Sequence, residues 1–304
     1  MGRTRIVVAV DGSAVAGHAV RWAAGLGALL DAEVVAVHAV GLLDDLHDPT
    51  EEPAAWRARL GDRVAREWCA DLAASGCDHR VVVRDGPAVD VLLAVTRDEG
   101  ADLVVVGSRG VGAVEPARAL GSTSLHVLQA SACPVLVVPD PPSGGRDPAP
   151  AAIGRALVGV DRSALSLAAL DLAADLAAAA GGSLCVLEVF EYVEPFPLGP
   201  DTAGSSEAEE RAIEATRALV ETHAGAIRDR GVGVQVIVRS GEPAPTLLEV
   251  AEEVDADLVV VGTRGKGDPA EPLLGSVART VVNGMRRPTL VVPAAAGDAP
   301  PATT

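Results

Sequence analysis

The ten residues ADLVVVGSRG at 101–110 return as ADLVVVGTRG at 256–265, with a single conservative change, Ser108 to Thr263. The segments around them return in the same order. IVVAVD at 6–11 is answered by ALVGVD at 156–161, VRDG at 83–86 by VRSG at 238–241, and VLVVP at 135–139 by TLVVP at 289–293. Counterparts lie 150 residues apart at the first segment and 155 apart at the fourth, so the second copy carries five extra residues between its second and third apolar runs. A 304-residue chain that repeats itself in this way is one domain written twice. The expected boundaries are 1–140 and 153–294. Between them, 141–152 is rich in Pro, Gly and Ser and reads as a linker, and 295–304 reads as a frayed, disordered tail.

Each copy alternates short valine-rich runs with longer amphipathic stretches. In the first copy the expected strands are Arg5–Val10, Glu33–Val40, His79–Arg84, Asp102–Gly107 and Pro134–Pro139. Helices are expected over Ala14–Leu30, about Glu52–Ser75, Ala88–Glu99 and from Ser122 to about Ala130. Strands that are apolar throughout, rather than every second residue, are buried on both faces, which is the mark of a parallel sheet covered by helices. The expected fold is therefore α/β: two tandem doubly wound, Rossmann-like domains, each a five-stranded parallel sheet in the order 3-2-1-4-5. In that order the winding reverses between strands 1 and 4, and ligands of such sheets sit outside the carboxyl ends of the strands at the reversal.

Two features meet at that reversal. One is the aspartate that ends strand 1, Asp11 or Asp161. The other is the loop after strand 4, punctuated by glycine at 107, 110 and 121 and again at 262, 265 and 275. Glycines allow backbone amides to crowd around a ligand, and a helix N-terminus at the end of the loop adds unpaired donors and a favourable dipole for an anion. The loop is neither the dinucleotide fingerprint, which should follow strand 1, nor a P-loop, since G-x-x-x-x-G-K-[ST] is absent.

Bulk properties exclude several classes. A net charge of −17 is the wrong sign for a nucleic-acid footprint. The alanine-rich stretch at 167–180 is broken by Asp171 and Asp175, so it is not a membrane span. A cytoplasmic protein is expected. The four cysteines show no metal spacing and read as small core residues, and the six histidines form no constellation, so neither catalytic residues nor a metal site are expected. With aromatics at only 2%, the cores must be built from Ala, Val and Leu.

The pattern G-x-x-G, nine residues, then G-[ST], set after DLVVVG and paired with V-D-x-S on strand 1, resembles the universal stress protein family in a tandem form. The resemblance covers both copies, and it implies an ATP site in each. Asp11 and Asp161 would lie on the ribose or metal side, and the backbone at Ala39 and Val189 would meet the adenine. The phosphates would be held around Gly107, Arg109, Gly110, Gly121, Ser122 and Thr123, and around Gly262, Arg264, Gly265, Lys266, Gly275, Ser276 and Val277. Mg2+ could accompany the phosphates, bridging them to Glu115 or Glu271, or these carboxylates could face water. Lys266, the only lysine, could meet a phosphate or remain a solvated loop residue. The first copy departs from the pattern: ten residues separate Gly110 from Gly121, and Val111 replaces the lysine. The resemblance further implies pairing of the two domains through their fifth strands, and a homodimer. It points to a stress-response sensor or regulator with slow hydrolysis or none. Competing readings are an interaction scaffold without ligand, and an adenine-nucleotide hydrolase or transferase.

Overall fold

The computed structural model describes residues 3–41, 52–110, 120–140, 153–190, 203–265, 274–284 and 286–294. The linker, the tail, Lys266, Glu115 and Glu271 lie outside the described residues. The chain divides into two compact units. One comprises Met1–Ala152 with Met285–Gly297, the other Ile153–Gly284 with Asp298–Thr304.

The first unit follows the expected alternation: β1 (Arg5–Ala9), α1 (Ala14–Leu29), β2 (Glu33–Val40), α2 (Pro53–Arg63), α3 (Ala70–Ser75), β3 (His79–Asp85), α4 (Ala88–Glu99), β4 (Leu103–Gly107), α5 (Ser122–Ala130) and β5 (Val135–Val138). The second unit contains β6 (Arg155–Val160), α6 (Ala164–Ala180), β7 (Ser183–Phe190), α7 (Ala203–Arg228), β8 (Gly233–Ser240), α8 (Pro243–Glu253), β9 (Leu258–Gly262) and α9 (Ser276–Gly284). The last strand, β10 (Thr289–Val292), belongs to the first compact unit.

In the first unit the strands run β3-β2-β1-β4-β5 in parallel, the expected order, with registers such as Ile6 to Val34 and Ile6 to Leu103. A sixth strand then joins this sheet, the fifth strand of the second copy, so the fifth strands pair as the family resemblance implies. β10 pairs with β5 antiparallel, Thr289 opposite Val137 and Val291 opposite Val135. All four residues of β5 are buried, and a strand of that composition left at an edge would invite association. In the second unit β9, β6, β7 and β8 are parallel neighbours in that order.

The cores have the expected aliphatic make-up. Ile6, Val7, Val8, Val34 and Val35 are fully inaccessible, as are Leu157, Val158 and Leu184 in the second unit. Ala19, Ala23, Ala169 and Ala173 are equally buried on α1 and α6, where small side chains let a helix lie close to the sheet. Ser13 caps α1 by accepting from Ala16 N at 3.1 Å, and Ser163 caps α6 from Ser166 N at 3.2 Å. All four cysteines are free; Cys69 and Cys185 are buried as expected, but Cys77 and Cys133 are only half-buried.

The helix expected over 52–75 is interrupted. Val64–Trp68 forms one π-helical turn, with Cys69 N bonded to Val64 O at 2.9 Å. The extra residue in that turn rotates Trp68 towards the end of β2, where its ring meets His38 edge-on, centroids 5.0 Å apart.

Candidate functional site

The local chemistry of V-D-x-S builds one wall of the site. Asp161 ends β6, and its Oδ1 accepts from Ser163 N at 3.0 Å and from Ser163 Oγ at 2.6 Å. Ser163 also caps α6, so the aspartate, the turn and the helix form one hydrogen-bonded piece. Ser166 Oγ accepts from Asp161 N at 3.2 Å and donates to Ser163 O at 3.0 Å. In the first unit Asp11 Oδ1 accepts from Ser13 N at 2.9 Å, but Ala16 stands where Ser166 would.

The glycine loop builds the opposing wall. Gly275 N donates to Thr263 O at 2.8 Å, and Gly121 N to Ser108 O at 2.8 Å, so each loop is closed where its helix begins. A Cβ on Gly265 would come within 2.5 Å of Asp161 Oδ2, and a Cβ on Gly110 within 2.5 Å of Asp11 Oδ2. Real Cβ atoms do not approach oxygen so closely, so glycine is what permits aspartate and loop to meet. No side chain caps α5 at Gly121, leaving the first-turn amides of that helix without an intrahelical acceptor.

In the second unit these walls enclose a cavity of about 440 Å3. Its polar end is formed by Asp161, Gly262, Thr263, Arg264, Gly265, Gly275 and Ser276, and its apolar end by Leu187, Val189, Pro243, Leu247, Val261 and Leu274. The size and the mixture suit a small organic ligand with a charged end. Of the expected residues, Asp161, Val189, Gly262, Arg264, Gly265, Gly275, Ser276 and Val277 all line this one space. Its ionisable lining residues, among those described, are Asp161 and Arg264. No group of three metal-ligating side chains occurs among the described residues.

In the first unit Asp11 meets Gly110, and Gly121 packs on Ser108 O and Arg109 Cα at 3.4 Å as measured from its would-be Cβ. Gly107 O accepts from Ser124 Oγ at 2.7 Å, while Arg109 is ion-paired with Asp140. Ala39 is half-buried on β2, Thr123 half-buried and Ser122 exposed at the start of α5.

Sequence reading missed Ser166, Thr263 and the α8 residues Pro243 and Leu247. The i, i+4 spacing of Pro243 and Leu247 on the face towards the strand ends was the available signal. It missed Arg162 as well, which follows Asp161 and pairs through Nε with Glu188 Oε1 at 2.9 Å.

The parallel α/β units with a glycine loop at the strand-order reversal define a protein of the doubly wound α/β class. The model of the universal stress protein family matches residues 2–139 and again 152–293. The chain is 34% identical over 306 residues to a universal stress protein of Mycobacterium tuberculosis, covering 94% of this chain and 95% of that one. It is 31% identical over 300 residues to one of Mycolicibacterium smegmatis, covering 94% and 96%. The chain belongs to the universal stress protein family, with two family domains in tandem. The crystal structure of a universal stress protein from Archaeoglobus fulgidus shares the fold, with a TM-score of 0.65 at 20% identity, covering 95% of this chain and 96% of that one. No helix among the described residues is long and apolar enough to cross a membrane.

Proposed function

We propose that this protein binds an adenine nucleotide, ATP, in the cavity of the second unit and acts in the stress response as a nucleotide-occupied sensor or regulator. The observation that carries the reading is the convergence, in one space of about 440 Å3, of the glycine loop, Asp161 and Val189. The phosphates lie on the amides of Gly262, Gly265, Gly275 and Ser276 at the N-terminus of α9. Arg264 offers charge at the same end, and Lys266 is assigned there from the sequence pattern. The ribose lies by Asp161, and the adenine meets the apolar walls and the backbone of Val189.

The residues present fit that ligand. An aspartate beside a phosphate cradle repels an anion, and Mg2+ bound with the phosphates offsets that repulsion. Asp161 is the one carboxylate among the described lining residues, and its Oδ1 is engaged by Ser163. With no other base among the described lining residues to activate water, slow hydrolysis or none is the reading adopted. The first unit is assigned a second ATP site around Asp11, Ala39, Gly107, Arg109, Gly110, Gly121, Ser122 and Thr123. A homodimer of chains, each built of domains 1–140 and 153–294, and a cytoplasmic setting that the free thiols suit, complete the proposal.

Mass spectrometry of the protein as purified, followed by calorimetric titration with ATP after stripping, tests this reading. Bound adenine nucleotide or micromolar-range binding is expected, with loss of the second site in Gly275→Val. Protein that neither carries nor binds adenine nucleotide is instead a scaffold without ligand.

A further inference from the structure

Arg162 stands directly after Asp161 with φ at +64°, a left-handed conformation that disfavours any side chain with a Cβ. The same position in the first copy is Gly12, at φ +79°, where glycine adopts it freely. The arginine that takes this conformation has its side chain anchored by an ion pair. Its Nε is buried and lies 2.9 Å from Oε1 of Glu188, whose carboxylate is only 4% exposed. Glu188 is desolvated while Arg162 keeps a third of its side chain in water, so removing the arginine deprives a buried carboxylate of this ion pair, and the pair ties the turn to β7.

Neither residue lines the cavity; both neighbours do. Asp161 precedes Arg162, and Val189 follows Glu188. Along β7 successive side chains face opposite sides of the sheet, so Glu188 points away from the face that Leu187 and Val189 present to the cavity. Val160 and Glu188 are direct partners in the parallel β6–β7 pairing. The ion pair thus ties together, from behind the cavity, the two strand ends that carry the site carboxylate and the apolar wall.

The first unit ties the same two positions with different chemistry. His38, the counterpart of Glu188, lies on β2, and its Nδ1 donates to Val10 O at 2.8 Å, a carbonyl that can only accept. Trp68 packs edge-on against that imidazole, and a Cβ on Gly12 would lie 2.7 Å from its indole carbons. There is no room there for the arginine of the second copy. A tie made once by aromatic packing and once by an ion pair to a buried carboxylate answers a need of the aspartate turn and not an accident of one side chain.

We infer that Arg162 and Glu188 are positioning residues that hold Asp161 and the end of β7 in the geometry that receives the ligand. The inference rests on reading the second cavity as the nucleotide site.

The test uses the full-length chain with Gly110→Val blocking the first site, so that calorimetric ATP titration reads the second alone. Arg162→Gly, Glu188→Gln and the double variant are compared with this parent for affinity and for thermal midpoint. If arginine were only tolerated in the turn, Arg162→Gly would relieve backbone strain and leave Kd unchanged. Positioning predicts a Kd raised at least tenfold in each single variant. It also predicts that the double variant, which removes both charges of the pair, regains thermal stability without regaining affinity. Single variants with Kd within twofold of the parent overturn the inference alone. So does a double variant whose affinity recovers together with its stability. A parent that binds no ATP overturns the reading of the second cavity and the inference with it.

Discussion

Asp161 Oδ2 lies where a side chain on Gly265 would have to go: a Cβ there would be 2.5 Å from the oxygen, and Asp11 and Gly110 repeat the relationship in the first unit. The end of strand 1 and the loop after strand 4 are thus in contact twice over, although about a hundred residues separate them in sequence. This contact sets the aspartate against the glycine loop, and in the second unit the two line one cavity.

Gly265→Ala is therefore expected to displace Asp161 or the loop. ATP affinity of the second site should fall about tenfold or more, where each tenfold corresponds to about 1.4 kcal/mol. Gly265 is exposed, so unfolding stability should change by only about 0.5 kcal/mol. Calorimetric titration alongside urea unfolding measures both, and unchanged affinity would refute the expected crowding.

Gly12→Ala combines a disfavoured φ of +79° with a collision at Trp68. A destabilisation of about 1–3 kcal/mol is expected from strain and overpacking together. In the double variant with Trp68→Leu the collision is relieved and the backbone strain remains, so part of the loss should return. Urea unfolding monitored by far-UV dichroism reads this without depending on Trp68 emission.

Glu33 accepts from Arg80 Nε at 2.8 Å and from Arg5 Nε at 3.2 Å. The Arg80 bond first, against the opposing cost of burial, and then the Arg5 bond hold its carboxyl below the ordinary 4.5. A carboxyl depressed in the folded state stabilises fully above its unfolded pKa and loses that contribution as pH falls through the folded one. Glu33→Gln should therefore cost about 0.5–1 kcal/mol at pH 7, a small figure because both arginines are partly in water. As pH falls through the depressed folded value the two proteins should converge. Urea midpoints at pH 7 and pH 3.5 check the sign.

Burial pushes the Cys69 thiol up to about 11 and raises those of Cys133 and Cys185 as well, the last two by desolvation first. At pH 8 these thiols are almost wholly protonated and slow towards a disulfide reagent. Half-buried Cys77 should supply the fast phase. That phase should vanish in Cys77→Ser and persist in Cys69→Ser, with all four thiols reacting in denaturant.

The strand and helix bounds were largely legible because they depend on local periodicity. Glu33–Val40 and Ala88–Glu99 came out as read, since unbroken valine runs and i, i+4 apolar spacing each leave one low-energy local arrangement. The interruption at Val64–Trp68 was not legible, since a π turn carries the same composition as the helix it interrupts. Ser166 escaped for another reason: its role depends on the hydroxyl facing Asp161 N, and its counterpart Ala16 made the position look indifferent.

By itself the sequence determined that the chain holds two copies of one α/β unit, where the strands lie, and that an aspartate and a glycine loop stand at the reversal of each sheet. Repeats, apolar runs and glycine spacing are properties of neighbouring residues, and backbone geometry translates them directly. Only the tertiary structure decided that β10 runs antiparallel to β5, that Trp68 occupies the space beside Gly12, and that Arg162 and the buried Glu188 share an ion pair. Each of these joins segments at least 26 residues apart. Their energies come from excluding water between surfaces that meet only after folding, and local composition carries no record of that.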